Sequence, residues 1–310
     1  MIKMIDLARI VVSGLTAAVM LLSCSGRHKV SAPEFNGDRA FGYLERQVSF
    51  GPRVPGSESN AACRRYLVEF LDSLGGTVDT MPFIHIDKAT FKEIPMVNVV
   101  AAFTGTGGEG AKRYLLAAHY DSRPRAEYDP DSTKRGNPID GANDGASGVA
   151  VLMELANIIS NKRPRVNVDF AFLDGEDYGP PGRLDEYFLG AREMVRRGIG
   201  GKYELAIIVD MIGDKDLKIY REEFSHRYAR PLQDFIWKIA AELGESTFVD
   251  SIGYAVQDDH LSFLTIRLLS IVIIDFNYKY WHTTHDTPDK CSPQSLASVG
   301  RVLSNFIYRL

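Results

Sequence analysis

Two apolar spacings alternate along most of this chain. Phe41, Leu44 and Val48, then Cys63, Tyr66, Leu67, Phe70 and Leu71, recur every three or four positions and predict two amphipathic helices, the second stopped by Gly75 and Gly76. Shorter runs with strand character follow at 77–86, 96–103, 113–118, 166–173, 204–211 and 268–276. Several are apolar at successive positions, as in strands buried on both faces. Helical spacing returns at 146–160, 186–197, 230–243 and 293–308. This alternation predicts an α/β fold, a three-layer sandwich in which a central mixed, mostly parallel sheet is flanked by helices. Loops rich in Pro, Gly and charge at 122–143 and 179–185 are long enough to be functional surface.

The N-terminus follows another pattern. Lys3 and Arg9 precede an apolar stretch at 10–22 that closes in Leu21-Leu22-Ser23-Cys24. This resembles the signal peptide and lipobox of bacterial lipoproteins. The resemblance implies removal of residues 1–23, a lipid on Cys24, a polar tether over 24–37 and a single domain over 38–310. The protein would then sit in the bacterial cell envelope, facing the periplasm or at the outer membrane, and touch a membrane only through its lipid. The apolar stretch is shorter than the ~20 residues a spanning helix needs.

Composition narrows the chemistry. The chain has 310 residues, 45% of them hydrophobic, which suits one enzyme-sized domain. Its formal charge is -4 and no basic stripe stands out, so nucleic acid is not an expected partner. Three cysteines exclude a disulfide-stapled mini-domain and a Cys-rich zinc module, so any metal must use histidines and carboxylates. The run Gly105-Thr106-Gly107-Gly108-Glu109-Gly110 fits a dinucleotide fingerprint, but a strand follows it where that fingerprint needs a helix, and a hairpin turn is expected instead.

Ionisable groups gather where strands are predicted to end. The run ending at Ala118 leads into His119-Tyr120-Asp121, and the run ending at Leu173 into Asp174-Gly175-Glu176-Asp177. Two further runs reach Asp210 and Asp275, Asp144 precedes a helix within Gly141-Ala142-Asn143-Asp144-Gly145-Ala146-Ser147-Gly148, and His282 lies in Tyr280-Trp281-His282-Thr283-Thr284-His285-Asp286. In an open α/β sheet the carboxyl ends of strands share one crevice. Taken singly, Asp144 reads as a helix cap, His119 as a core histidine and Glu176-Asp177 as a loop pair. Their coincidence favours a metal site, most plausibly zinc. His28, His85 and His226 lack such company.

These five motifs resemble those of the zinc aminopeptidases of the M28 superfamily. That group includes two-zinc aminopeptidases and one-zinc glutaminyl cyclases of animal type with bacterial relatives. Trp281 before the metal histidine, the acidic run Gln257-Asp258-Asp259-His260 and the motif order resemble the cyclases. Asp177 stands where animal cyclases carry Glu, and the loop from Tyr178 to Gly182 lacks their Trp. The resemblance implies one zinc ion on Asp144, Asp177 and His282, a proton-carrying Glu176, a carboxyl pair of Asp210 and Asp258 sharing a proton, and a pocket wall at Trp281. The implied substrates are peptides or proteins with N-terminal glutamine. In the aminopeptidase alternative, His119 and Asp210 hold a second zinc; otherwise His119 supports the site from behind. A zinc-binding module without turnover is the third reading, and the intact Glu176 counts against it.

Overall fold

The computed structural model describes residues 32–310; the expected leader, Cys24 and most of the tether lie outside the described residues. Helices α1 (Gly37–Val48) and α2 (Glu58–Ser73) come first. Asn36 and Ser57 cap them, their side chains accepting from the backbone N–H of Arg39 and Asn60. Gly75 takes φ +78°, and the N–H groups of Gly75 and Gly76 bond back to Asp72 and Leu71, so the glycine pair closes α2 as its sequence suggests. Ahead of α1, Phe35 is already buried in the core.

Strands β1 (Thr77–Ile86), β2 (Glu93–Phe103) and β3 (Arg113–His119) precede α3 (Ala146–Asn161). Then come β4 (Asn167–Leu173), α4 (Leu189–Arg196), β5 (Leu205–Asp210), β6 (Ile219–Arg221), α5 (Glu223–Leu243), β7 (Phe248–Ile252), α6 (Asp259–Leu264), β8 (Leu269–Ile274) and α7 (Pro293–Arg309). The main sheet runs β1-β2-β4-β3-β5-β8; the pairs made by β1 with β2 and β2 with β4 are antiparallel, and the other three are parallel. It is the expected mixed sheet. A short parallel pair, β6 with β7, lies outside the sequence reading, as does α6. Elements this short bury too few side chains to leave a periodic trace.

Alternate residues of each central strand feed two separate cores. Leu116, Ala118, Ile207, Val209, Ile271 and Ile273 pack on the side of α1, α3, α5 and α7. Leu115, Ala117, Ala206, Ile208, Val272 and Ile274 pack on the opposite side with α4 and α6. The three layers follow from that division.

Three expectations need correction. The glycine-rich segment after β2 is no hairpin turn, because β4 lies between β2 and β3. It crosses the start of β4 instead: Thr106 and Gly107 donate to the carbonyls of Pro164 and Arg165, and a Cβ on Gly105 would sit 2.1 Å from the Val166 oxygen. The helix expected at 186–197 begins later, at Leu189, after Phe188 has taken a left-handed φ of 57°. The helix expected from 230 starts at Glu223 and bends at Ala229, since Pro231 cannot donate its share of the helical ladder.

Candidate metal centre

The carboxyl ends of β3, β4 and β5 place His119, the Asp174–Asp177 loop and Asp210 beside the start of α3. Close approach there demands glycine. A Cβ on Gly145 would lie 2.6 Å from the His119 ring, and one on Gly148 would lie 2.3 Å from the Val209 carbonyl. Asp144 does not cap α3: Gly145 holds the cap position and no side chain caps it. The Asp144 carboxylate turns instead between two histidines, Oδ1 at 3.3 Å from His119 Nε2 and Oδ2 at 3.6 Å from His282 Nε2.

Two buried ligand sets share Asp144. In Asp144, Asp177 and His282, and in His119, Asp144 and Asp210, one donor atom from each residue lies within 4.8 Å of the others. His282 Nε2 is 3.4 Å from Asp177 Oδ1, and His119 Nε2 is 3.1 Å from Asp210 Oδ1. Asp144 Oδ2 and Asp177 Oδ2 are buried without a hydrogen-bond partner. Such oxygens are costly unless a cation meets them. The set of one imidazole and two carboxylates suits zinc, with a coordination position left over.

The surroundings hold these ligands in place. Buried Arg123 donates to the side chain of Asp177 at 2.5 Å and to its carbonyl at 3.0 Å, and also binds Glu127, whose Oε1 lies 3.5 Å from His282 Nδ1. Asp121 accepts from the N–H groups of Glu176 and Asp177 and lies 3.5 Å from His119 Nδ1. Asp286 accepts from the N–H groups of Asn143 and Asp144, at 2.9 and 3.1 Å, and from the Tyr278 hydroxyl at 2.7 Å. Ligands oriented by such outer partners bind metal more tightly. The sequence reading assigned no role to Arg123, Glu127 or Asp286. Arg123 and Glu127 fall in the loop flagged for its length, which was the available signal.

Charge is concentrated and desolvated here. Burial, then the neighbouring Asp177, raises the Asp144 carboxyl to about 6. Asp177 goes the other way, to about 2, because His282 and Arg123 outweigh its burial. Burial raises Glu176 well above the usual range; His119 opposes this, while Asp177, Asp258 and Asp259 reinforce it. Asp258 rises for the same first reason, then through Asp210 and Asp259.

Glu127, Asp144, Glu176, Asp177, Asp210, Asp258, Trp281 and His282 all line one cavity of about 350 Å³. The half-buried Trp281 ring lies 3.9 Å from that of His282, and Tyr128 stacks on His282 from 5.8 Å. Pro181, Leu184, Tyr187 and Phe188 complete the wall where the sequence offers no tryptophan. Three residues of this lining, Phe188, Met211 and His282, hold left-handed φ values without being glycine. Strain of this kind collects at functional sites and costs ~1–3 kcal/mol per residue.

Some expected members are elsewhere. Asp174 accepts from the Val97 N–H, Asn60 and Tyr120, and braces β2. Asp275 lines a different cavity and binds the N–H groups of Lys218 and Asn277. Asp210 and Asp258 share the pocket without a mutual hydrogen bond: Asp210 Oδ1 is on His119, and Asp258 Oδ2 is buried without a partner. Cys63 and Cys291 are both free and buried.

The model of peptidase family M28 matches residues 98–307. Over 90% of its length this chain is similar to the whole of a solved Tannerella forsythia glutaminyl cyclase, with 36% identity and a TM-score of 0.84. A Bacteroides thetaiotaomicron structure described as a leucine aminopeptidase precursor gives 33% identity and a TM-score of 0.85, over 90% of this chain and 99% of that one. Among curated relatives, a Leptosphaeria maculans "Probable zinc metalloprotease" is 35% identical over 185 residues, which is 56% of this chain. The match spans 41% of that relative, less than half its length.

Proposed function

The chain belongs to peptidase family M28, and we propose that it is a zinc-dependent glutaminyl-peptide cyclotransferase, turning N-terminal glutamine of peptides or proteins into pyroglutamate with release of ammonia. Asp144, Asp177 and His282 would hold the zinc ion and leave one position open. When bound there, zinc supplies Lewis acidity toward the γ-carbonyl of the substrate.

The chain's own residues account for the remaining work. Glu176 lines the cavity beside Asp177, where burial raises its carboxyl well above the usual range, and a carboxyl so placed suits a group that both takes and returns a proton. It would accept a proton from the substrate's α-amine as that nitrogen bonds to the carbonyl carbon of the side-chain amide, and give it to the amide nitrogen as the bond from that carbon to the amide nitrogen breaks and ammonia leaves. Asp258, whose carboxyl burial and then Asp210 push upward, would donate to the amide, while Asp210 would accept from it. Trp281 and Tyr128 bound the slot in which the glutamine side chain folds back.

The observation that carries this reading is Asp258, a buried acid that faces the pocket beside Asp210 and belongs to neither ligand set. A second reading, the two-zinc aminopeptidase, draws support from the His119, Asp144 and Asp210 cluster. Parallel assays on one zinc-loaded preparation separate the two. Ammonia from Gln-initiated peptides, slow release of N-terminal leucine and one tightly held zinc per chain are expected. Rapid release of leucine, no ammonia and two zinc ions per chain would overturn the proposal. The lipobox-like end at Cys24 supports attachment of the enzyme to the cell envelope by lipid.

A further inference from the structure

The pocket does not end at its own walls. Across Leu184, Phe188 and Gln257 it adjoins a second cavity of about 310 Å³, which across Leu261 and Thr265 adjoins a third of about 510 Å³. Each cavity shares lining residues with the next. Leu261 and Leu264 of α6 and Thr265 at its C-terminal cap floor the route, with Gln257 ahead of the helix at the entrance, while Phe263 anchors the helix in the core. The strip is apolar and open to water: Leu184 is 46% exposed, and at the far end Tyr228 and Leu269 are 56% and 43% exposed. Contiguous apolar surface of this kind marks a binding groove.

We propose that this groove holds the second to fourth residues of the substrate polypeptide in extended form and selects apolar side chains there. The inference rests on the reading of the main pocket as the site of an N-terminal residue, and it applies whether that residue is cyclised or cut off. A polymer whose first residue fills the pocket must leave by an open side. Trp281 and Tyr128 pack against each other and on His282, whereas Leu184, Phe188 and Gln257 are shared with the apolar second cavity, which makes that side the one along which the polymer continues. The six residues of α6 rise about 9 Å at ~1.5 Å each, and an extended chain advances ~3.3 Å per residue, so the floor accommodates roughly three residues. Arg192, which donates to the Leu184 carbonyl and lies over the Phe188 ring, fixes the threshold between the first two cavities.

The test is a panel of Gln-initiated tetrapeptides, on zinc-loaded protein, whose last three residues are all leucine, all serine or all aspartate. The leucine tail should raise kcat/KM for ammonia release about tenfold over the serine tail, mainly through KM, and the aspartate tail should do worst. Leu261→Glu and the more exposed Thr265→Glu should each bring the leucine-to-serine ratio close to one. Equal rates for all tails, or variants that slow leucine- and serine-tailed peptides by the same factor, would overturn the groove. A matching panel headed by leucine, read by release of that residue, keeps the two ideas separate: ammonia from no peptide removes the cyclase reading, while tail dependence of leucine release still supports the groove. If neither panel turns over, calorimetric binding of the same peptides gives the ratio directly.

Discussion

Asp286→Asn probes how the fold prepares the metal loop. The Asp286 carboxylate is fully buried and gives one oxygen each to the N–H groups of Asn143 and Asp144, with Tyr278 as a third donor. Asparagine keeps the shape but loses one acceptor, so one buried backbone N–H faces an amide NH₂ group. Leaving such a donor unmet costs about 1–3 kcal/mol. For a domain of this size about 2 kcal/mol lowers the melting temperature by roughly 4–8 °C. The Asp144 backbone would also lose part of the clamp that aims its carboxylate between His119 and His282, and loss of such an outer partner weakens metal binding by ~10- to 100-fold. Urea unfolding of metal-free protein measures the first effect, and zinc competition against a chromophoric chelator measures the second. Native zinc affinity combined with a loss of metal-free stability would refute the clamp and leave Asp286 a purely structural residue.

Other expectations follow from the same geometry. Glu176→Gln should keep its zinc and lose ~10²- to 10⁴-fold in turnover, whereas His282→Ala should lose both; a near-native rate in the first variant removes Glu176 as the proton carrier. Glu222 caps α5, accepts from the N–H of Val256 and lies 3.3 Å from His260, so it pins the segment leading to Asp258. Burial pushes its carboxyl up, but His260 and the hydrogen bonds of Ser225 outweigh this and hold it at about 2. A depressed folded-state pKa stabilises above the ordinary carboxylate value near ~4.5 and ceases to as pH falls through about 2. The stability gap between native protein and Glu222→Gln should therefore be full at pH 6 and shrink between pH 4.5 and 2.5 in denaturant titrations; a gap that does not vary with pH contradicts the assignment. Cys24→Ala should move the protein from the membrane to the soluble fraction of cells, and continued sedimentation with membranes would argue against the lipid anchor.

What the sequence determined by itself is what repeats or clusters locally. Five of the six sheet strands were legible because buried strands need apolar side chains at successive positions; β1, an edge strand with no buried residue, was legible as a strand-like run without that burial. Asp144, Asp177 and His282 were legible as a candidate ligand set through their motifs, and one donor atom from each lies within 4.8 Å of the others. Strand order was not legible: inserting β4 between β2 and β3 changes no residue's periodicity, and it turns an expected hairpin into a crossover. Nor was the use of single polar residues. Asp174, Asp275 and Asp286 all follow or flank core elements, yet one braces β2, one turns to another cavity and one clamps the metal loop. A carboxylate's role depends on which N–H groups, cations and oxygens surround it in space, and those come from segments as far apart as the 143 positions between Asn143 and Asp286. The groove along α6 belongs to the same class, since a six-residue helix shows which face meets water only once α4, β5 and β8 have covered the other.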